Sequence, residues 1–188
     1  MNKINSYKII TERLIIESPN ETHAGQFLEY RLKNKKIFKP WSPQFSSDYY
    51  TLNNITKEMR KFSIMFEKEQ LFKFFLFNKK NTNTIIGDFS FSNIVKGVFL
   101  SCHLGYHIDQ DYSNKGLMRE ALSAGINYFF NEKKYHRIEA NVIPENKPSI
   151  KLLLTLGFEE EGLAKKYLKI NNKWEDHTHF TLLNENIE

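Results

Sequence analysis

A strand, a long helix and a second strand follow one another in the middle of this chain, and this unit limits the possible folds most. Met118 and Leu122 fall on one face of a helix that is predicted over Lys115–Lys134. Apolar strand patterns flank the helix at Leu100–Ile108 and Arg137–Ile143. Two strands that are joined by a helix run parallel in a sheet. The sequence therefore predicts at least one parallel strand pair.

The other strand patterns are typical of hairpins. Polar residues 78–84 separate two aromatic-rich runs, and Gly162 opens a last hairpin whose turn is Asn171-Asn172-Lys173. Residues 37–50, rich in proline and serine, are predicted to form a loop. We expect an α+β (mixed α/β) fold with a twisted, mixed and mostly antiparallel sheet of about seven strands, flanked by about four helices. The further strands are predicted over Glu12–Glu17, Phe72–Phe77, Ile85–Phe91, Tyr167–Ile170 and His177–Leu183, and the further helices over Thr22–Lys33, Leu52–Lys68 and Asn146–Leu156.

Length, charge and cysteine content limit the class of protein. The 188 residues fit a single domain over residues 1–188. The net charge of +5 comes from scattered lysines mixed with acidic residues, which argues against a nucleic-acid partner. Cys102 is the only cysteine, and no apolar run resembles a signal peptide or a membrane span. We therefore expect a cytoplasmic protein without a membrane partner.

Residues 113–118 could bind phosphate. They lead from a strand into the long helix, and the first N–H groups of a helix attract anions. Gly116 would let a ligand approach the backbone. A single glycine before a helix is more often only a turn, and the segment matches neither a Walker loop nor a dinucleotide fingerprint.

Further short motifs occur before and after this segment, in a fixed order. They are Thr11-Glu12-Arg13-Leu14, Ile86-Gly87, Ser92-Asn93-Ile94, Leu104–Ile108, Asn114–Ala121, His136–Ala140, Pro144-Glu145-Asn146, Ser149, Leu156-Gly157-Phe158, Glu161-Gly162 and Trp174–His177. Together they resemble the GNAT superfamily, and most closely its RimJ/RimL branch of N-acetyltransferases. The resemblance covers nearly the whole chain and is more specific for the family and the cofactor than for the acceptor.

The resemblance implies acetyl-CoA as cosubstrate and no metal. It places the pantetheine arm along Leu104–Ile108 and the pyrophosphate at Ser113–Met118. The family favours Arg or Gln at Ser113, Gly at Asn114 and Thr at Arg119, so we expect Lys115 or Arg119 to supply the missing charge. The implied cofactor-binding residues are Tyr106, His107, Ile108, Ser113, Asn114, Lys115, Gly116, Leu117, Met118, Arg119, Asn141, Asn146 and Ser149.

Two residues are candidates for catalysis. Ser149 would lie near the sulfur and protonate the leaving thiolate, since Leu153 stands where many relatives carry a tyrosine. Glu139 would act as the base, and strand alternation places it on the same face as Asn141. Plain structural roles are open for all of them: a salt bridge for Glu139, a helix N-cap for Asn146 and an ordinary first-turn residue for Ser149.

The resemblance implies that the acceptor is a primary amine, which would attack the thioester directly through a tetrahedral intermediate. A protein α-amine is roughly 10% neutral at pH 7, whereas a lysine starts about 3 kcal/mol worse off, so a site with one carboxylate suits an α-amine better. The branch suggests the N-terminal alanine of a ribosomal protein. A small-molecule amine is the alternative, and a non-catalytic module that binds acidic protein or RNA is the alternative of another class. A homodimer is also an open expectation.

Four other groups of residues can be explained by ordinary structural roles. The pairs His103 with His107 and His177 with His179 share strand faces, but they lack convergent carboxylates or thiols for a metal. Cys102 is expected to be a buried, inert thiol. Trp41 and Trp174 fit the core or an acceptor-site wall equally well. The basic residues Arg31, Lys33, Lys35, Lys36 and Lys39 are expected to form a solvated face. In the family this region lines the acceptor side, so it also suggests an acidic acceptor.

Overall fold

The computed structural model describes residues 7–43 and 45–187, which form one eight-stranded sheet and four α-helices. The strands are β1 (Lys8–Ile10), β2 (Leu14–Glu17), β3 (Phe72–Asn78), β4 (Asn81–Val95), β5 (Ser101–Ile108), β6 (Arg137–Val142), β7 (Glu159–Ile170) and β8 (Lys173–Leu183). The helices are α1 (Ala24–Phe38), α2 (Leu52–Glu67), α3 (Leu117–Asn127) and α4 (Lys147–Thr155).

The strand order is β1-β2-β3-β4-β5-β6-β8-β7. Only the β5–β6 pair, which α3 connects, is parallel, and the other neighbours are antiparallel. The predicted mixed and mostly antiparallel sheet is confirmed. The structure has one strand more than the seven predicted. The additional strand is β1, whose three residues are too few for a recognisable alternation.

Two apolar layers cover the sheet. On one face, α3 and α4 pack through Leu122, Leu153 and their neighbours onto Phe74 and Phe89. On the other face, α1 and α2 cover a smaller core that includes Phe75. Among the described residues, this second core contains no residue of β5, β6 or β8. On these three strands the same face of the sheet carries mostly polar side chains.

Two helix boundaries differ from the predictions. Helix α1 continues to Phe38 because this side chain is buried against Tyr30, with ring centroids 5.5 Å apart. Helix α3 ends at Asn127 and is followed by a π-helical turn, Tyr128–Glu132, whose first three residues are all buried aromatics. A wider turn brings more consecutive side chains to the core than an α-helical turn does.

The last hairpin begins earlier than predicted. Strand β7 starts at Glu159, so Gly162 does not open the hairpin but lies inside β7 at a register shift, with φ of 141°. Most β7 side chains are charged and exposed, which hides the strand pattern in the sequence. The predicted turn is confirmed, since Asn171 and Asn172 have φ of 48° and 67°. No helix in residues 7–43 and 45–187 has the length and apolar character needed to cross a bilayer.

Candidate active site

Strands β5 and β6 are paired at one end only. Their register runs from Ser101 opposite Arg137 to His103 opposite Glu139, while both strands continue beyond these residues. The backbone of β5 from Leu104 onward therefore turns an open edge towards a cleft. An extended ligand can bind such an edge through main-chain hydrogen bonds, as an added strand does. The open edge of β5 lies where the resemblance places the pantetheine arm.

The loop before α3 fits an anion. Asn114 and Gly116 have φ of 57° and 72°, so the expected left-handed conformation at Asn114 is present. The first intrahelical bond runs from the N–H of Glu120 to the carbonyl of Gly116, which leaves the N–H groups of Leu117 and Met118 without helical acceptors. Together with the helix dipole, these groups can bind a phosphate.

The polar side chains of this loop are engaged locally. Ser113 Oγ donates to the carbonyl of Gln110 at 2.8 Å, and Lys115 Nζ donates to the carbonyl of Asp111 at 2.7 Å. Arg119 is exposed on the first turn of α3. Its role towards the cofactor, like that of Lys115, stays a prediction.

The segment between β1 and β2 contacts the loop before α3 and the first turn of α3. Arg13 Nε lies 2.6 Å from Glu120 Oε2, and Arg13 Nη1 donates to the carbonyl of Lys115 at 2.9 Å. Glu120 Oε1 also accepts from Thr11 Oγ1 at 2.6 Å and from the N–H of Arg13 at 2.8 Å. The motif Thr11–Leu14 was visible in the sequence, but its contact with α3 was missed because the two are far apart in the chain.

Tyr106 and Ser149 join β5 to α4 across the cleft. Tyr106 Oη and Ser149 Oγ are 2.7 Å apart. Burial raises the pKa of Tyr106 to about 12, although the bond to Ser149 acts in the opposite direction. Asn146 caps α4 by accepting from the N–H of Ser149 at 3.4 Å, as its structural role requires. Leu153 is fully buried.

Glu139 lies on the face of β6 that the alternation predicts, but its carboxylate is shared. Arg137 Nε is 2.9 Å from Oε1, and His103 Nε2 is 3.5 Å from Oε2. Arg137 also binds Glu161 at 2.6 Å. The salt bridge is therefore present, and it holds Glu139 at the point where β5 and β6 separate.

Asn141, on the same face of β6 as Glu139, could accept a hydrogen bond from an N–H group of a ligand. Asn141 Nδ2 donates to Tyr167 Oη at 3.3 Å, and the register places Asn141 opposite His179. Asn141 Oδ1 and His179 Nε2 are buried and have no hydrogen-bond partner among the described residues. Buried polar atoms are rarely left unpaired in proteins. An N–H group of a substrate would satisfy Asn141 Oδ1.

The side chain of His107 points away from Tyr106, so contact of His107 with a cofactor in the cleft would run through its backbone. Its Nε2 is 2.8 Å from Ser42 Oγ, and its Nδ1 is 3.6 Å from Asp88 Oδ2. Burial alone would raise the pKa of Asp88, but Lys73 and then His107 hold it well below its usual range. Asp88 was missed in the sequence, although a carboxylate inside an apolar strand pattern is a signal of a buried ion pair.

Within the basic run, Lys33, Lys35, Lys36 and Lys39 are exposed as expected, but Arg31 is not. Arg31 is 7% exposed and lies among aromatic rings. Lys33 binds Asp109 and Asp111 at 2.8 and 2.6 Å. Trp41 and Trp174 are 39% and 56% exposed, so they are not core residues.

The remaining histidines and the cysteine pack in the fold. Tyr167 contacts both His177 and His179, with ring centroids 5.6 and 4.6 Å apart. In residues 7–43 and 45–187, His, Cys, Asp and Glu form no group of three or more that could hold a metal. Cys102 is buried, and burial raises its pKa.

Known proteins are similar to this chain. The family model described as "Acetyltransferase (GNAT) domain" matches residues 13–159. The ribosomal protein uS5-alanine N-acetyltransferase of Escherichia coli (strain K12) is 36% identical over 176 residues, which are 94% of this chain and 90% of the relative. The probable N-acetyltransferase YjcK of Bacillus subtilis (strain 168) is 35% identical over 167 residues, 89% of this chain and 92% of the relative.

A solved structure agrees with these matches. The crystal structure of the ribosomal-protein-S5-alanine acetyltransferase from Vibrio fischeri has a TM-score of 0.92 and 32% identity, and it covers 97% of this chain and 99% of its own. The predicted fold class, enzyme class and acetyl-CoA donor are thereby confirmed. The chain belongs to the GNAT family of acetyltransferases.

Proposed function

We propose that this acetyltransferase modifies the N-terminal α-amine of a ribosomal protein that begins with alanine. The observation that carries the proposal is the 36% identity, over 94% of the chain, to an enzyme named for that reaction on uS5. We also propose a single domain over residues 1–188 that acts in the cytoplasm. A homodimer stays a prediction.

The donor would bind along the open edge of β5 and at the start of α3. In this proposal the backbones of Tyr106, His107 and Ile108 pair with the pantetheine arm, and residues 113–118 surround the pyrophosphate. Arg119 would add positive charge beside that loop. Asn141, Asn146 and Ser149 would close the other side of the cleft. Acetyl-CoA then supplies the thioester that the amine attacks.

The polar face of β6 would receive the acceptor amine. Glu139 would take the proton as the α-amine attacks, because it belongs to the last residue pair before β5 and β6 separate. Asn141 Oδ1, which has no partner among the described residues, would accept a hydrogen bond from the amine. Ser149, bonded to Tyr106, would return a proton to the thiolate that leaves.

The test is acetyl transfer with a panel of acceptors. Release of free thiol from acetyl-CoA is measured with peptides that begin with Ala, with the same peptides after N-terminal acetylation, and with free amino acids and polyamines. We expect turnover of the free Ala peptides only. Mass spectrometry that locates the acetyl group on the first residue would identify the α-amine as the acceptor.

Two results would contradict the proposal. Turnover of small amines without turnover of any Ala peptide would make the chain a small-molecule acetyltransferase. Turnover of a blocked peptide that contains lysine would make it a lysine acetyltransferase. Glu139→Gln should lower kcat by about 100-fold without raising the KM for acetyl-CoA, if Glu139 is the base.

A further inference from the structure

A pocket lies between α1, the segment that follows it and the β7–β8 turn. Its volume is about 280 Å³. It lies on the same face of the sheet as Glu139 and Asn141, because His107 on β5 contacts two residues of its wall. The residues that matter here are Arg31, Lys35, Phe38, Lys39, Ser42 and Phe45, and we call this site the Arg31 pocket.

Arg31 is a mostly buried charge that no ion pair within the described residues neutralises. The residue is 7% exposed, and it forms no ion pair or hydrogen bond with any other residue in 7–43 or 45–187. Its guanidinium carbon lies 5.1 Å from the ring centre of Phe45 and 5.6 Å from that of Phe38. Cation–π contacts offset part of the cost of burying a guanidinium, and a ligand in the pocket would give its N–H groups acceptors.

The surroundings of the pocket favour an anion. Lys35 and Lys39 lie at its rim, and no carboxylate is among the residues that line it. The charges of Asp88 and Glu58 also reach Arg31, yet Lys73 binds Asp88, and Tyr49 donates to Glu58 at 2.7 Å. The guanidinium fork matches a carboxylate in shape and in donor spacing.

The position of the pocket sets which acceptor residue can reach it. The amine would lie near Glu139, which is opposite His103, while His107 touches Phe38 and Ser42 in the pocket wall. His103 and His107 are four residues apart on β5, a distance of about 13 Å. An extended peptide needs about four residues to span this distance.

We propose that the Arg31 pocket binds an acidic side chain at the fourth or fifth residue of the acceptor peptide. This inference rests on the proposed function and adds to it a sequence requirement beyond the first residue. Arg31 determines specificity in this proposal and takes no part in the chemistry.

The test compares Ala-first octapeptides that are neutral except for a single Glu at each of positions 2 to 7, with Gln at the same position as reference. We expect the wild-type enzyme to show a KM about tenfold lower for Glu than for Gln at position 4 or 5, with similar kcat. Arg31→Gln should remove this difference. Lys36→Gln, an exposed change on the same helix outside the pocket, should keep it.

Equal KM values for Glu and Gln peptides with the wild-type enzyme would overturn the inference, and so would a difference that persists in Arg31→Gln. The wild-type comparison decides the question even if the variant does not fold, which circular dichroism would reveal. If no peptide is acetylated, the proposed function fails, and calorimetric titration with glutarate decides the inference separately. Binding to wild type that Arg31→Gln abolishes supports the pocket, and equal binding or none overturns it.

Discussion

At the scale of single residues, the hydrogen bond between Tyr106 and Ser149 makes the clearest prediction. Ser149→Ala should lower kcat by roughly 10- to 100-fold, because the leaving thiolate loses its proton donor, while the KM for acetyl-CoA changes little. Tyr106→Phe should have a smaller effect, because Ser149 keeps its hydroxyl. The high pKa of Tyr106, about 12, means that its ionisation should not reduce kcat below about pH 10. Steady-state kinetics of the wild type and both variants between pH 6 and 10 measure kcat, the KM for acetyl-CoA and the pH dependence of kcat.

A matched control lies on the same helix. Thr155, six residues after Ser149, also has a hydroxyl on α4, and this hydroxyl donates to the carbonyl of Lys151 at 2.8 Å. Thr155→Ala should leave kcat unchanged. Full kcat in Ser149→Ala would exclude Ser149 as the acid.

The sequence predicted the roles of single residues where strand alternation or helix capping determines them. The face of Glu139 and the cap at Asn146 follow from spacing alone. The contact of Glu139 with His103 does not follow from spacing, since His103 lies on another strand. The burial of Arg31 also contradicts its place in a basic run, because Phe45 reaches it from outside the helix.

At the scale of elements, the segment between β1 and β2 holds the loop that would bind the pyrophosphate. Arg13→Ala removes the bonds to Glu120 and to the carbonyl of Lys115. We expect the KM for acetyl-CoA to rise about three- to tenfold, because the loop is no longer fixed in position, with kcat at saturation changed by less than about twofold. Kinetics with varied acetyl-CoA, together with calorimetric binding of CoA, measure the effect.

Lys8→Ala is the control for this edge of the sheet. It breaks an ion pair of 3.1 Å between Lys8 and Glu17 but touches neither Arg13 nor Glu120. Its KM for acetyl-CoA should equal that of the wild type. If Arg13→Ala also keeps the wild-type KM, the anchor has no role in cofactor binding.

Elements were predictable where their periodicity is strong. The helix at Leu52 and the strands at Phe72 and Arg137 lie within one or two residues of their predicted limits. Strand β7 was largely missed, because an exposed edge strand has little apolar alternation. The contact between the Thr11–Leu14 motif and α3 depends on tertiary structure, which no local pattern contains.

At the scale of the whole molecule, the sheet separates two environments. The α3 and α4 face is apolar and supports the cleft from one side. The opposite face carries charged and polar groups, from Lys73 and Asp88 on β3 and β4 to Glu139 on β6. The order of the elements predicted the mixed sheet, but not this polar face, because its members come from separate strands.

The ion pair between Lys73 and Asp88 on this face should make the free energy of unfolding depend on pH. Asp88 is 1% exposed and is bound by Lys73, so its pKa in the folded protein is below that of an unfolded chain, about 3.9. The folded state then binds fewer protons than the unfolded state at this site. The stabilisation is complete above about pH 5 and declines as the pH falls below about 4.

Asp88→Asn tests this dependence. The change leaves Lys73 buried and unpaired, so the free energy of unfolding at pH 7 should fall by about 3 kcal/mol. Urea unfolding between pH 2 and 7 should show this difference narrowing below about pH 4, because the unfolded wild-type chain takes up a proton at Asp88 there while the folded protein keeps this carboxylate ionised. Burial raises the pKa of Glu58 and gives the opposite slope, but both proteins contain Glu58. Glu159→Gln, on the exposed start of β7, should run parallel to the wild type. A constant difference between wild type and Asp88→Asn at every pH would show that packing, and not the charge on Asp88, stabilises this face.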